Sequence, residues 1–429
     1  MAQSNNDNAH DLNHDDNTFL PTSRRDLLRG AGIAGGLALS GLAQAAVAPG
    51  AAAAATAGPA SRLAYQQLLQ TLAQIDRDYL GPQWGITAPG DIAEGYRVIA
   101  HLLEAGIRCY FEGDPERPQF NQLVSPIIKF QGDNPDALYF YTRIRGDRNY
   151  RIRGRRVGED YLSFTVHSGD GNGGWASGVD AEKNDRHIAF DAKGNFELLV
   201  GPDVDPERGL RTQKRSQEIV TRHYFERALS AQLDMTLRPE LHIEPLDPIA
   251  PPLAPDDAEI AQRLTAVGNF LRANTIERPR PDPSRMPAWF SMVPNQLGKP
   301  ARWTSSDGGG LGAVDNAYSA GRFVLEPEQA LLIEGRMPRC VFANVVLWNR
   351  FLQSFDYRYR RISLNRKQIA FEADGSYRIV IAHRDPGLPN WLSTEQRASG
   401  TIYWRFLLPE GELEQPRTRV VAFADIARS

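Results

Sequence analysis

The chain has 429 residues, enough for two or three domains at roughly 100–200 residues each. A composition of 41% apolar and 24% charged residues excludes wholesale disorder and a fibrous fold. The formal net charge of −3 gives no global field for gathering nucleic acid or an anionic membrane, so no nucleic-acid partner is expected.

Residues 1–60 read as an export leader. Paired Arg24 and Arg25, then Leu27, Leu28 and Arg29, precede the weakly apolar stretch 30–48 and several Ala-x-Ala sites. This is the twin-arginine pattern, with the twin-arginine translocase as export partner and the periplasm or exterior as destination. Gly30, Gly32, Gly35, Gly36 and Gly41 make the stretch a poor membrane helix, so stable membrane insertion is not expected. Only Cys109 and Cys340 are present, too few for a disulfide framework or a zinc–thiolate cluster; they read as two separately buried thiols, or as a single bridge in an oxidising compartment.

Residues 61–125 form a helical segment, with helical apolar spacing over 62–80 and 91–112. A first β-unit spans 126–245. The stretch 246–320 combines a proline-rich linker, a helix from about Asp256 to Asn274 and a long Pro/Gly-rich loop over 276–316, the kind of loop that often lines a site. A second β-unit spans 321–429.

The two β-units read as copies. Tyr150–Arg155 aligns with Leu331–Arg336, an offset of 181 residues, and at the same offset Arg186–Val200 falls on Lys367–Ile381. After a one-residue shift Ile219–Phe225 resembles Thr401–Leu407. In each copy a short Gly-containing turn between β-prone runs (around Gly194 and Gly375) reads as a hairpin. In Tyr161–His167 the apolar Leu162, Phe164 and Val166 alternate with Ser163, Thr165 and His167, the period of a half-buried strand. The fold class is therefore mainly β: two related β-sandwich units with N-terminal helices and a connecting helix.

Asp385–Thr394, which contains Asn390-Trp391-Leu392, and Gly400–Arg405 resemble the C-terminal signature of DUF1214 proteins. Asn134–Asp136, Tyr150–Gly154 and Tyr161–Phe164 are similar to the upstream part of such chains. The resemblance covers about 130–225 and 325–410 and implies a jelly-roll-like sandwich. It carries no activity, because the family has no assigned function. On the residues alone, Trp391 plugs the sandwich and Asn390 caps its turn.

Histidine carries the candidate chemistry. Three of the six histidines beyond the leader, His167, His187 and His223, lie in the first unit, where the second has Trp348, Gln368 and Arg405. With Asp170 or Asp185 they form a candidate general-base or metal group, although no close metal-ligand pair accompanies them. The Gly-rich stretch from His167 to Trp175 reads as a mobile loop beside a buried strand, with Trp175 as a ring platform or the whole as a surface hairpin tip. Arg151, Arg153 and Arg155 share one strand face, either an anion-binding row or a solvated surface. Tyr357–Arg361 alternates aromatic and Arg as a strand does, which makes Tyr357 and Tyr359, with Trp348 nearby, a ring platform or ordinary inter-sheet packing. No phosphate-binding Gly loop, Rossmann fingerprint or Cys-x-x-Cys is present, which disfavours nucleotide, flavin, iron–sulfur and haem cofactors.

Two functions fit. In the first the protein binds a glycan or amphipathic ring compound between its units, through Arg151, Arg153, Arg155, Trp175, Trp348, Tyr357 and Tyr359. In the second it is a hydrolase or lyase on such a compound, with His167, His187 or His223 as base or metal ligand and Asp170 as partner. Convergence of two histidines would separate them.

Overall fold

The computed structural model describes residues 58–280, 282–304 and 313–428, and the arginine-bearing leader lies outside them. Three helices come from the segments whose apolar spacing predicted them: α1 (Ala60–Asp78), α2 (Pro89–Gly106) and α3 (Asp257–Asn274). The Asp256 side chain caps α3 by accepting from the Glu259 amide, and Asp257 accepts from the Ala60 amide, tying α1 to α3. No helix of the described residues is long and apolar enough to cross a membrane.

The rest is mostly β. The first unit holds β1 (Asn121–Gln122), β2 (Ala137–Arg143), β3 (Tyr150–Arg155), β4 (Tyr161–Ser168), β5 (Gly178–Asn184), β6 (Asn195–Gly201), β7 (Gly209–Arg211), β8 (Ser216–Tyr224) and β9 (Glu240–Pro245). The second holds β10 (Phe290–Ser291), β11 (Ala301–Arg302), β12 (Asn316–Val324), β13 (Gln329–Arg336), β14 (Phe342–Trp348), β15 (Ser363–Asn365), β16 (Ser376–Ala382), β17 (Trp391–Ser393), β18 (Ser399–Leu407) and β19 (Arg417–Ala422). The long loop is thus partly ordered: β10 and β11 both pair with β12, and Asn316 rather than 321 opens the second repeat.

Sheet order shows the duplication directly. The first unit pairs β2-β8-β4-β5 and β7-β6-β3-β9, and the second pairs β12-β18-β14-β15 and β17-β16-β13-β19. Register is kept as well. Ile152 lies opposite Leu198, and Ile333 opposite Ile379, each 181 residues on. One residue is gained before β17 and another before β18, so Arg222, opposite Ser163, corresponds to Arg405, opposite Asn344, at an offset of 183. The expected one-residue shift therefore falls one short. His223 corresponds to Phe406, not to Arg405.

Each unit has its own core. Ile152, Phe164, Leu198 and Ile219 fill the first, and Ile333, Val345, Ile379 and Trp404 the second. Trp391 does not plug a sandwich: it packs with Leu332 and Val380 on the outer face, and its neighbour Leu392 enters the core. The Asn390 amide acts beyond its own turn, accepting from the Ala370 amide and donating to the Ala370 and Arg378 carbonyls.

The units meet through the β2-β8-β4 and β12-β18-β14 sheets, and the contact is reciprocal. Asp136, just before β2, accepts from Asn344 at 2.9 Å and Asn365 at 3.1 Å. Asp315, just before β12, accepts from Tyr161 at 2.6 Å and Asn184 at 2.7 Å. Asn184 and Asn365 are equivalent positions, so each copy grips the other through the same Asp–Asn pair, with Asn344 as second donor in one direction and Tyr161 in the other. Asp315→Ala leaves the buried Tyr161 hydroxyl and the Asn184 amide without their acceptor, and the expected loss of stability is about 2–4 kcal/mol. Urea denaturation measures it, and a change below about 0.5 kcal/mol would show that the clasp contributes nothing.

Candidate functional site

Strand alternation sorts the first unit's polar residues onto two faces. Tyr161, Ser163, Thr165 and His167 of β4 lie opposite Tyr224, Arg222, Val220 and Glu218 of β8, with Tyr139 of β2 and Glu182 of β5 flanking them. This face reads as solvated in sequence, yet every residue of Tyr161–His167 is buried, because α1–α3 and the second unit cover it. Burial without partners is its main chemical feature. Neither ring nitrogen of His167, neither carboxylate oxygen of Glu182 and not the Ser163 hydroxyl has a hydrogen-bond partner.

Arg222 dominates the electrostatics, donating to Thr165 Oγ1 at 2.6 Å. Burial, with help from the Arg222 charge, pulls His167 down to about 3. Burial pushes the Glu182 carboxyl up to about 7 against the Arg222 charge, with Asp315 raising it further. His167 is therefore neutral at physiological pH and a poor proton acceptor.

The facing sheet supplies aromatic surface. Trp348 stacks on Tyr403 with ring centroids 4.2 Å apart, and Tyr318 and Trp289 continue the row at 5.1 and 5.9 Å from Tyr403. The Arg405 guanidinium sits 4.9 Å from the Trp348 and Tyr403 rings. The Trp348 indole N–H donates to the Asp133 carbonyl at 3.0 Å. Tyr139, Glu182, Trp289 and Tyr403 are half-buried and keep some accessible surface.

The remaining candidates go elsewhere. His223 lies five residues from Glu218 on β8 and so faces the first unit's own core, bonded to Glu159 at 2.9 Å and Thr221 at 3.1 Å. His187 is exposed on the turn after β5. The three histidines do not converge, and among the described residues no group of three or more His, Cys, Asp or Glu is placed to hold a metal. Asp170 is exposed and accepts from the Asn172 amide, shaping its own loop rather than meeting His167.

That loop is pinned, not a free tip. The Asn269 amide donates to the Asn172 carbonyl at 2.9 Å, the Arg143 guanidinium to the Gly171 carbonyl at 2.7 Å, and the Trp175 indole to the Ala273 carbonyl. Trp175 lines a cavity of about 30 Å³ with Cys109, Tyr141 and Glu218, room for a water or two. Arg151, Arg153 and Arg155 lie on the outer face of β3 against Glu197, Glu244 and Glu240, with Arg155–Glu240 at 2.5 Å. They line nothing between the units. Tyr357–Arg361 is a turn instead of a strand, because Asp356 accepts from the Arg358 amide and its carbonyl from Tyr359 and Arg360. Tyr357 is buried under Lys129, 4.1 Å from its ring, and Tyr359 is 75% exposed. Of the expected ligand-binding set Trp348 alone lies on the second unit's facing sheet, and of the expected catalytic set His167 alone shares the face of β4 that carries Ser163 and Thr165, opposite Glu218. Cys109 is buried and Cys340 half-buried, and both are free thiols.

Sequence reasoning did not single out Glu182, Arg222, Tyr318, Tyr403 or Trp289. A strand face too polar for the core and too aromatic for the surface was the available signal.

Comparison with one solved structure supports this architecture. The chain is similar to an uncharacterized protein from Burkholderia cenocepacia, with 25% identity and a TM-score of 0.73 over 85% of this chain and 98% of that one. It also aligns with the VPA0106 protein of Vibrio parahaemolyticus at 13% identity and a TM-score of 0.45, over 76% of this chain and 98% of that one. No family model matches the chain, and no curated protein is similar to it.

Two outcomes test this geometry. A histidine held neutral by burial takes up a proton only on unfolding, so stability falls as pH drops from about 6.5 towards 3, by about 3 kcal/mol near pH 4. His167→Phe should remove that part of the acid limb in urea titrations at pH 4 and 7, and an unchanged limb would contradict the buried neutral imidazole. Gly173 has φ +87°, and a Cβ there would stand 2.1 Å from the Ala266 carbonyl. Gly173→Ala should therefore destabilise by roughly 2 kcal/mol or more and free the Trp175 indole, visible as a red-shifted emission.

Proposed function

We propose that the protein binds a ring compound, a glycan or an amphipathic ring, between its two β-units. One observation carries this reading: two sheets bury a shared face on which one offers stacked π surfaces and the other offers hydrogen-bonding groups with no internal partner. A ring would stack on the half-buried Tyr403, which the buried Trp348 backs, while ligand hydroxyls would satisfy His167, Glu182 and Ser163, whose unpaired burial otherwise costs about 1–3 kcal/mol per group. In this reading the leader directs the chain through the twin-arginine route to the periplasm or exterior, and the chain is a DUF1214 protein. The catalytic alternative has less support, because His167 lacks proton affinity and the other two histidines sit apart from it.

Tryptophan fluorescence titration with a panel of mono- and oligosaccharides and phenolic rings tests the proposal. At least one probe should bind, and Trp348→Ala should weaken it by about 1–2 kcal/mol, roughly tenfold. Trp391→Ala, on the outer face, should leave affinity unchanged. Equal loss from both substitutions, or from neither, sinks the inter-unit site.

A further inference from the structure

Arg222 and Arg405 occupy equivalent positions in the two copies, and so do Tyr139 and Tyr318, which lie directly opposite them on the neighbouring strands. Burial and the neighbouring Tyr224 hydroxyl raise both tyrosines, and the charges of Arg405 and Arg222 act on each in the opposite sense, so the four side chains lie within electrostatic range of one another around Tyr224 where the units meet. Arg222 has carboxylates in range: the charges of Arg222 and Asp315 both act on Glu182.

Arg405 is in a different position. It is 4% exposed, its Nη2 donates to the Gly132 carbonyl at 2.6 Å, and its Nη1 has no partner. No described Asp or Glu forms an ion pair with it, and the tryptophan and tyrosine rings beside it attract a cation without neutralising it. A guanidinium taken out of water without a counter-charge is costly, and a fold keeps one where a ligand supplies the anion.

We propose that this quartet recognises a single carboxylate, the acidic group of the ring compound of the preceding section. The inference rests on that reading of the inter-unit face. Arg405 presents the planar fork that carboxylates match, with its Nη1 unpaired, while Tyr139 and Tyr318 flank it and Tyr403, backed by Trp348, holds the adjoining ring. Asp315 offsets one of the two guanidinium charges and Glu182, pushed up to about 7, offsets part of the other, so the face suits a monoanion and disfavours a dianion such as phosphate. A sugar acid and an aromatic acid share this chemistry.

The experiment titrates the full chain, by thermal unfolding and tryptophan fluorescence, with glucuronate against glucose and benzoate against benzamide. The acid of one pair should raise Tm and bind about tenfold or more tightly than its neutral counterpart, and the responding pair distinguishes sugar from aromatic acid. Arg405→Met should abolish that preference while leaving the ligand-free Tm unchanged or higher, since it removes an unpaired buried charge. Should the Met variant fail to fold, Arg405→Lys keeps the charge, loses the fork and should still weaken the acid about tenfold. Equal binding of acid and neutral analogue, or undiminished preference in both variants, overturns the carboxylate assignment and leaves ring binding standing. No binding by any of the four probes overturns it as well, and the saccharide and phenol panel then decides the ring-binding reading separately.

Discussion

Burying two β-sheets face to face costs free energy for every polar group between them that is left without a partner, and this protein meets that constraint only in part. At the ends of the shared face the two aspartates find theirs, although Asn316 beside Asp315 does not. Asp136 and Asp315 take up asparagine and tyrosine donors from the opposite unit, and the Phe225 and Leu408 amides close each junction on the carbonyls of the same two aspartates. In the middle it is not met, around His167, Glu182 and Arg405. A fold held in register at both ends can keep its centre under-satisfied, because the penalty is spread over a large cooperative structure. Unpaired groups inside an otherwise well-packed interface mark a place adapted to something else.

The same arrangement explains what could be read from sequence. The 181-residue repeat was legible because turns and core strands keep their spacing under strong constraint: the Gly194 and Gly375 turns open β6 and β16, which pair with β3 and β13 in the same register, although neither turn closes the expected hairpin, because no strand leads directly into it. The last pair of long strands was harder. Two single-residue insertions precede β18, and an alignment allowing only one places His223 over Arg405. Side chains alternate with period two, so that error moves a residue to the other face of its sheet. The corrected register pairs Arg222 with Arg405 and takes His223 out of the site.

Other misreadings have a common origin. Period two shows which residues share a face, but not what covers that face. Arg151, Arg153 and Arg155 alternate just as Ser163, Thr165 and His167 do, yet the first set meets a row of glutamates at the surface and the second is enclosed by helices and a second sheet. The cover comes from segments far away in the chain, among them α3 and the strands after Asn316, so no local window contains the information. Tyr357–Arg361 failed for a more local reason, since the Asp356 side chain offers its amides a turn that competes with the strand.

Duplication also assigns different work to the two halves. At equivalent positions the first copy has His167, Val220 and Glu182 where the second has Trp348, Tyr403 and Ser363. The polar groups thus collect on one sheet and the stacking surface on the other. Arg222 and Arg405, with Tyr139 and Tyr318, keep the symmetric pattern at the centre. A symmetric pair of subunits would face itself with identical chemistry, aromatic against aromatic and imidazole against imidazole. Joining the copies in one chain frees each sheet to diverge without disturbing the Asp–Asn clasp, and a ligand with one apolar face and one hydroxylated edge is the kind of molecule such a divided interface can hold.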